Sequence, residues 1–583
     1  AYKAGQGTDQ DFVQAFSWYQ KAALQGLARA QASLGDLYAQ GLGTQQDYSQ
    51  AFSWYQRAAE QGNGEGAKSL GDLYSHGRGI SKDDTQAFNW YQKAAQQGNA
   101  DAQRELGDSY FQGRGTQQDY AQAINWYQKA AQQNDVDAQT SLGNMYSQGL
   151  GTQRDNFQAF NWYQKAAEQG NVEARANLGN MYVRGLGTQL DYAQAFNWYQ
   201  KAAGQGNAEA QANLGNMYSQ GRGTQQDYSQ ALNWYQKAAA QDNADAESGL
   251  GDLYSHGLGT QQDYSQALNW YQQAAQHGLA KAQESIGDLY AHGLGTEQDF
   301  AQALNWYQQA AQQGLADAQE ALGGLYAQGL GTAQDYSQAL NWYQKAAQQD
   351  NAPAQLNLGN LYYQGRGTQQ DFKQAFMWYQ KAASHDLADA QVRLGDCYSN
   401  GQGVRQDYAQ ANNWYQKAAA QGNAAGENQL GDFYAQGKGV RQNYVDAFNW
   451  YQKAAQQGLT TAQNSLGSLY YNGLGTQQDN TQAFYWWQKA AQQGDTAAFK
   501  LFQNAAAQGN MEAQDNLGWL YYNGQGTAKD YKQAFDCWQK AAALGDADAC
   551  QNLSNMYSSG VGVIFDPKKA EYWANRAKQL QGN

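Results

Sequence analysis

The sequence predicts an all-α solenoid of about 16 helix-turn-helix repeats of 36 residues. Three observations carry this. Trp18, Trp54, Trp90, Trp126 and Trp162 open a ladder that continues in steps of 36 residues to Trp486. A fixed period in the range of roughly 20–50 residues marks units that pack only on their neighbours. Inside each unit apolar residues recur at helical spacing, and between the helical stretches glycines and cap-forming side chains fall where the chain must reverse.

Residues 28–63 serve as the unit. Ala30, Leu34, Leu37 and Tyr38 share one helical face, so the stretch from about Ala28 to Gln40 is predicted as an amphipathic helix, here helix A. Gly41 and Gly43 come after it, where a left-handed cap and a tight connection suit glycine. Asp47 then opens helix B as an N-cap acceptor, with Gln50 three residues on and able to reach back as in a capping box. Ala51, Trp54, Tyr55, Ala58 and Ala59 make one broad apolar face, expected to be the core.

Gly35 lies inside helix A and recurs at Gly71, Gly107, Gly143, Gly179 and Gly215. A glycine there costs about 1 kcal/mol relative to alanine, so the repetition points to helices in close approach, with aromatic rings filling the adjoining space. Gln61-Gly62-Asn63 leads into the next helix A, whose first turn usually carries an acid such as Asp101, Asp137 or Glu173. Those carboxylates face the positive end of the helix dipole, so much of the negative charge is capping. The two prolines, Pro353 and Pro567, fall in first turns, where a missing N–H is harmless.

The assembled pattern is Ala-x-x-x-Leu-Gly-x-Leu/Met-Tyr, then Gly-x-Gly-Thr/Val, then Asp-Tyr-x-x-Ala-x-x-Trp-Tyr-x-Lys-Ala-Ala-x-Gln-Gly. It resembles the Sel-1-like repeat family, relatives of the tetratricopeptide repeats, over nearly the whole chain. Asn177-Leu178-Gly179-Asn180-Met181-Tyr182 and Asp191-Tyr192 through Ala202-Ala203 are a close match. The resemblance implies a right-handed superhelix of antiparallel helix pairs with helix A lining the concave side, acting as an adaptor or scaffold for other proteins. Bacterial members resemble envelope, host-interaction and regulatory proteins, which favours a periplasmic or secreted location over a cytoplasmic one. A cysteine-rich bacterial branch carries a disulfide in each repeat and is linked with cell-wall-like compounds; this chain lacks those cysteines.

The expected organisation is a partial repeat over residues 1–27, thirteen full repeats over 28–495, a shortened unit over 496–511 and two divergent repeats over 512–583. Residues 1–7 correspond to the middle of a repeat, so the start of the chain is expected to be trimmed. The shortened unit lacks both the Gly-x-Gly loop and the Trp-Tyr helix, and stacking is expected to change there. Beyond it Cys537-Trp538 replaces Trp-Tyr, Trp519 takes a usually polar site, and Ser554 replaces the helix A glycine. Water in place of a neighbour explains divergence in terminal repeats; a separate docking patch is the alternative.

With 38 basic against 52 acidic residues and no basic run, the chain lacks the electrostatic footprint of a nucleic-acid binder. No apolar stretch is long enough to span a membrane. Cys397, Cys537 and Cys550 form no metal-ligand spacing, and Cys537 and Cys550 are either bonded or two buried thiols. Gly221-Arg222-Gly223-Thr224 is a connector, since no Lys-Ser/Thr comes after it and a helix precedes it. No nucleophile, carboxylate pair or cofactor motif stands out, so neither an enzyme nor a cofactor is predicted.

If helix A lines a groove, the positions flanking its apolar stripe face it. Two residues after the Leu-Gly leucine runs an acid or amide column that includes Asp72, Asp252 and Asp288. Six after it are His76, His256 and His292; five after it are Phe111, Tyr363, Tyr471 and Tyr522. Rings beside amides and carboxylates suit peptide anchoring or a sugar platform, and Trp519 joins them; a plain solvated helix surface is the competing reading. Asp252 with His256 and Asp288 with His292 could share a groove. Ligands one repeat apart, roughly 10 Å, do not converge on zinc, so no metal is predicted. The expected partner is a protein or peptide, with a polysaccharide or peptidoglycan fragment as the alternative because like repeats present like surfaces.

Overall fold

The structure, a computed structural model, describes residues 11–582. Among the described residues there are 32 helices and no strand, as predicted. They fall into two compact units, the first ending at Gln298 and the second beginning at Asp299. Within each unit consecutive helix pairs stack as solenoid repeats. In the first, helix A Ala28–Gln40 packs on helix B Tyr48–Glu60, which packs on the next helix A, Gly64–His76. The second repeats the plan with Ala424–Gln436, Tyr444–Gln456 and Thr460–Asn472. The expectation that residues 1–7 continue a trimmed repeat lies outside the described residues.

Caps and turns obey the sequence signals, with one correction. Asp47 accepts from the backbone N–H groups of Ser49 and Gln50 at 2.9 and 3.0 Å, satisfying two donors that a helix start leaves open. The reciprocal half of the capping box is taken by the main chain instead. The Asp47 N–H donates to the Tyr38 carbonyl at 2.9 Å, and the same bond recurs from Asp83 to Tyr74 and from Asp119 to Tyr110. That bond ties helix B directly to the end of helix A. Gly41 caps helix A at φ 69°, and a side chain on Gly115 would overlap the Asp84 carbonyl of the preceding repeat.

The core is built from small residues against rings. The helix A glycine receives the helix B tyrosine: a Cβ built on Gly35 would lie 2.6 Å from the Tyr55 ring, and Gly107 stands likewise to Tyr127. Tyr127, Tyr199, Tyr379 and Tyr415 are among the largest fully buried side chains. The tryptophan ladder differs from expectation. Trp54 and Trp378 are buried, but Trp90, Trp126, Trp162 and Trp414 are half-buried and Trp18 is exposed. The indoles of Trp90, Trp126 and Trp414 each rest one face on apolar neighbours and offer the other to a lysine three residues on. Lys93 stands 3.9 Å from the Trp90 ring, Lys129 3.7 Å from Trp126 and Lys417 3.9 Å from Trp414. An aliphatic stem and a cation–π contact thus cover what a neighbouring helix does not.

In the second unit the alternation of helices breaks at Thr496–Ala507. This helix begins with an Asp495 cap and then takes the part of a helix B toward the next helix, Met511–Asn523. Phe499 meets Tyr521 edge-on at 5.1 Å, as Phe88 meets Tyr110 at 5.2 Å and Phe448 meets Tyr470 at 5.1 Å. The preceding helix B, Asn480–Gln492, consequently touches Met511–Asn523 directly. The substitutions around this region are complementary. Trp487 and Trp538 replace the core tyrosine and donate their indole N–H to the carbonyls of Asn464 and Asp515, both at 3.2 Å. In the last repeat Ala574 leaves room for Ser554 in place of glycine, and its hydroxyl donates to the Ala570 carbonyl at 2.7 Å. Cys397, Cys537 and Cys550 are free, buried thiols, and burial pushes the Cys537 thiol up to about 11.

Candidate functional site

Helices A of successive repeats touch one another within each unit, as Ala208–Gln220 touches Ala244–His256 and Ala388–Asn400 touches Ala424–Gln436. They form the tighter layer, and their outward edge carries the predicted columns. The acid or amide column proves to be tied to the core. Tyr91 donates its hydroxyl to Oδ1 of Asp72 at 3.0 Å, Tyr199 to Asn180 at 2.6 Å, Tyr271 to Asp252 at 2.6 Å and Tyr415 to Asp396 at 2.8 Å. A buried phenol needs an acceptor, and this column supplies it. Burial together with the nearby carboxylate drives the tyrosine pKa values beside Asp72, Asp252 and Asp396 far up, and burial with the Ser147 hydroxyl leaves Tyr163 at about 12.

The predicted residues sort accordingly. Asp72 is half-buried and also accepts from Lys68 at 2.8 Å. His76, His256 and His292 are exposed, and each places Nδ1 by the backbone carbonyl four residues earlier, at 2.9 Å from Asp72, 2.9 Å from Asp252 and 2.8 Å from Asp288. Each Asp/His pair is therefore joined through the main chain, with Asp252 and Asp288 exposed at the same edge. Phe111 packs on Tyr120 at 5.4 Å between ring centroids. Tyr363 packs on Phe372 at 5.3 Å and donates to Gln402 at 3.1 Å; Tyr471 lies 5.4 Å from Trp487 and donates to Gln508 at 3.0 Å. These three rings are half-buried and stand in separate repeats.

Trp519 and Tyr522 are the two that the fold brings together. With Asn523, Trp538, Asn552, Asn555 and Met556 they line a notch of about 160 Å³. Tyr522 stacks 5.1 Å from Tyr531 and 5.5 Å from Trp538. A second notch of about 250 Å³ in the first unit is its structural equivalent, with Val183 in the place of Tyr522, Tyr199 of Trp538, and Asn213, Asn216 and Met217 of Asn552, Asn555 and Met556. Each has an aromatic floor, an apolar wall and an amide rim, held by rigid helices. Such a recess takes an apolar side chain and offers hydrogen bonds to a backbone beside it; it contains no nucleophile and base at bonding distance. Trp538 escaped the column reading because it sits on helix B of the same repeat, and Asn552 and Asn555 because they belong to the next helix pair. The signal lay in the step from one repeat to its neighbour, not along one helix.

Comparison with known proteins agrees with this architecture. The Sel1 repeat family matches in seventeen segments, including residues 1–27, 28–63, 244–279, 496–510, 512–546 and 547–581. A protective antigen of uropathogenic Escherichia coli displaying an SLR fold, c5321, is 36% identical, covering 78% of this chain and 96% of its own, with a TM-score of 0.63. A Sel1 repeat protein from Oxalobacter formigenes is 34% identical over 53% of this chain and 89% of its own, with a TM-score of 0.44. Cysteine rich protein B of Helicobacter pylori is 27% identical over 22% of this chain and 92% of its own, with a TM-score of 0.19. No curated protein matches significantly. Seventeen matched segments spanning the array, on a fold of consecutive helix pairs, place the chain in the Sel1 repeat family.

Proposed function

We propose that this chain is a non-catalytic scaffold that binds a protein or peptide along its helix A face. Sel1 repeat proteins are generally protein-interaction scaffolds without enzymatic activity. The observation that carries the finer reading is the notch at Trp519, Tyr522 and Trp538 and its equivalent at Val183 and Tyr199. An apolar anchor of the partner enters the notch, and the amides of Asn552 and Asn555 bond its backbone. Ordered rings lose little entropy on binding, which is why aromatic recesses dominate interface energetics.

Peptides selected by display against the full chain test this. Tyr522→Ser installs the residue that Ser219 supplies in another repeat, so folding is preserved. It is expected to weaken the selected peptides about tenfold or more; unchanged affinity contradicts the assignment. The organisation into thirteen full repeats, a shortened unit and two divergent repeats fits this reading, with the notch in the divergent part serving as a specific site rather than only an end cap.

A glycan reading has weaker support. A sugar stacks on an open ring face, and Lys93, Lys129 and Lys417 cover the indoles of the ladder. Gln273 and Gln309 leave Trp270 and Trp306 without such a lysine. Binding on a glycan array that is lost in Trp270→Ala would favour it over the peptide.

A further inference from the structure

Glutamines zip the loop ends of successive repeats together. Gln61 donates to Gln31 at 2.7 Å, Gln133 to Gln103 at 2.9 Å, Gln241 to Gln211 at 2.8 Å and Gln421 to Gln391 at 3.0 Å, always 30 residues apart. The inner member commonly donates in turn to a backbone carbonyl, as Gln31 does to Ala23 and Gln103 to Ala95. In the first unit both members change at once. Glu247 stands in the inner position, in the first turn of helix Ala244–His256, and His277 stands in the outer one, capping helix Tyr264–Gln276.

The exchange leaves a charge without a donor. Glu247 is 2% exposed, and its Oε2 has no hydrogen-bond partner. Nε2 of His277 lies 3.8 Å from that oxygen, too far for a hydrogen bond but suited to sharing a third atom between them. A third group joins from the neighbouring loop. Asp242 occupies a place that glycine holds in most repeats and adopts φ 58°, a left-handed backbone that an aspartate takes only at some cost. One ligating atom from each of Asp242, Glu247 and His277 lies within 4.8 Å of the others. An isolated buried carboxylate is costly, and a cation is its natural compensation.

The chain contains its own comparison three repeats on. Asp350, Gln355 and His385 hold the same column positions, with glutamine in place of Glu247. There Gln355 and His385 both place a nitrogen 3.0 Å from Oδ1 of Asp350, so the aspartate is used up inside the cluster. The buried oxygen left over is that of a neutral amide rather than a carboxylate.

We propose that Asp242, Glu247 and His277 bind a divalent first-row transition-metal cation, with water completing its coordination. One imidazole nitrogen and two carboxylate oxygens suit Zn²⁺ and its neighbours in the series better than Mg²⁺, which prefers oxygen alone. The cation ties two successive inter-repeat loops together at the edge of the first unit. This site is separate from the helix A notches, and its test is independent of the partner-binding reading.

Calorimetric titration of the full chain with Zn²⁺ decides it. The wild type is expected to show one site that Glu247→Gln removes and Asp242→Gly weakens about tenfold or more. Both substitutions restore residues that other repeats carry at these columns, and the Gln355–His385 cluster shows that glutamine beside histidine folds. Zn²⁺ is also expected to raise the unfolding temperature of the wild type and not of Glu247→Gln, which separates this site from the exposed histidines. Identical isotherms for the two chains, or no binding up to about 1 mM, would overturn the assignment.

Discussion

Tyr451 donates its hydroxyl to Oδ1 of Asp432 at 2.6 Å while its ring lies against Gly431, so adjacent residues of one helix receive the two ends of the same side chain. Glycine admits the ring and the acid takes its polar tip. This unit of structure explains why the Leu-Gly-Asp/Asn and Trp-Tyr motifs travel together along the chain.

Asp432→Ala is therefore expected to destabilise the chain by about 1–3 kcal/mol, because it strands a buried phenol without an acceptor. Tyr451→Phe removes the buried hydroxyl and leaves the half-buried Asp432 carboxylate within reach of water, so it is expected to cost only about 0.5–1.5 kcal/mol. Denaturant unfolding of both variants and of the double mutant checks this. The double mutant should cost less than the sum of the two.

Gly431→Ala reverses an ordinary expectation. In an exposed helix interior alanine is better than glycine by about 1 kcal/mol, but here the new methyl would overlap the Tyr451 ring. A net loss of about 1–3 kcal/mol is expected from overpacking. Thermal unfolding of Gly431→Ala reads the sign directly, and a stabilised variant would show that the close approach is not needed.

Asp515 gives a pH-dependent handle on the divergent repeats. Burial first, and then the neighbouring Asp546, push its carboxyl up to about 7, while Asn552 donates to it at 3.2 Å. The folded chain therefore holds this proton more tightly than the unfolded one, whose value is near 3.9. Its contribution is full below about pH 4 and is lost as pH rises through about 7. Asp515→Asn is expected to raise stability at pH 8 by about 1–2 kcal/mol, since solvent at this half-buried site screens the effect, and to change little at pH 4. Calorimetric scans of both chains across this range should show the wild type losing stability relative to the variant as pH rises.

The helices, their caps and the Gly35–Tyr55 type of contact were legible in the sequence because each depends on residues close together in one repeat. What lay across repeats was less legible. The capping-box glutamine gave way to a backbone bond from Asp47 to Tyr38, which no side-chain pattern encodes. Trp126 alternates in register with the core yet is only half-buried, because periodicity reports direction and not how far a neighbouring helix reaches. The acid column flanks the apolar stripe in sequence, but its bonds to the buried tyrosines, as at Asp72 and Asp252, join residues 19 apart and do not show in the pattern of one helix. Glu247 and His277 stood out only against their own columns, 30 residues apart.

Binding of partners on the helix A face is read out by hydrogen exchange of the full chain, with and without a peptide selected against it. Protection is expected in Met511–Asn523 and Ala547–Ser559, the helices that wall the Trp519–Tyr522 notch, and should be absent in Tyr522→Ser. Protection confined to helix B segments such as Asn480–Gln492, with the notch helices unchanged, would contradict it.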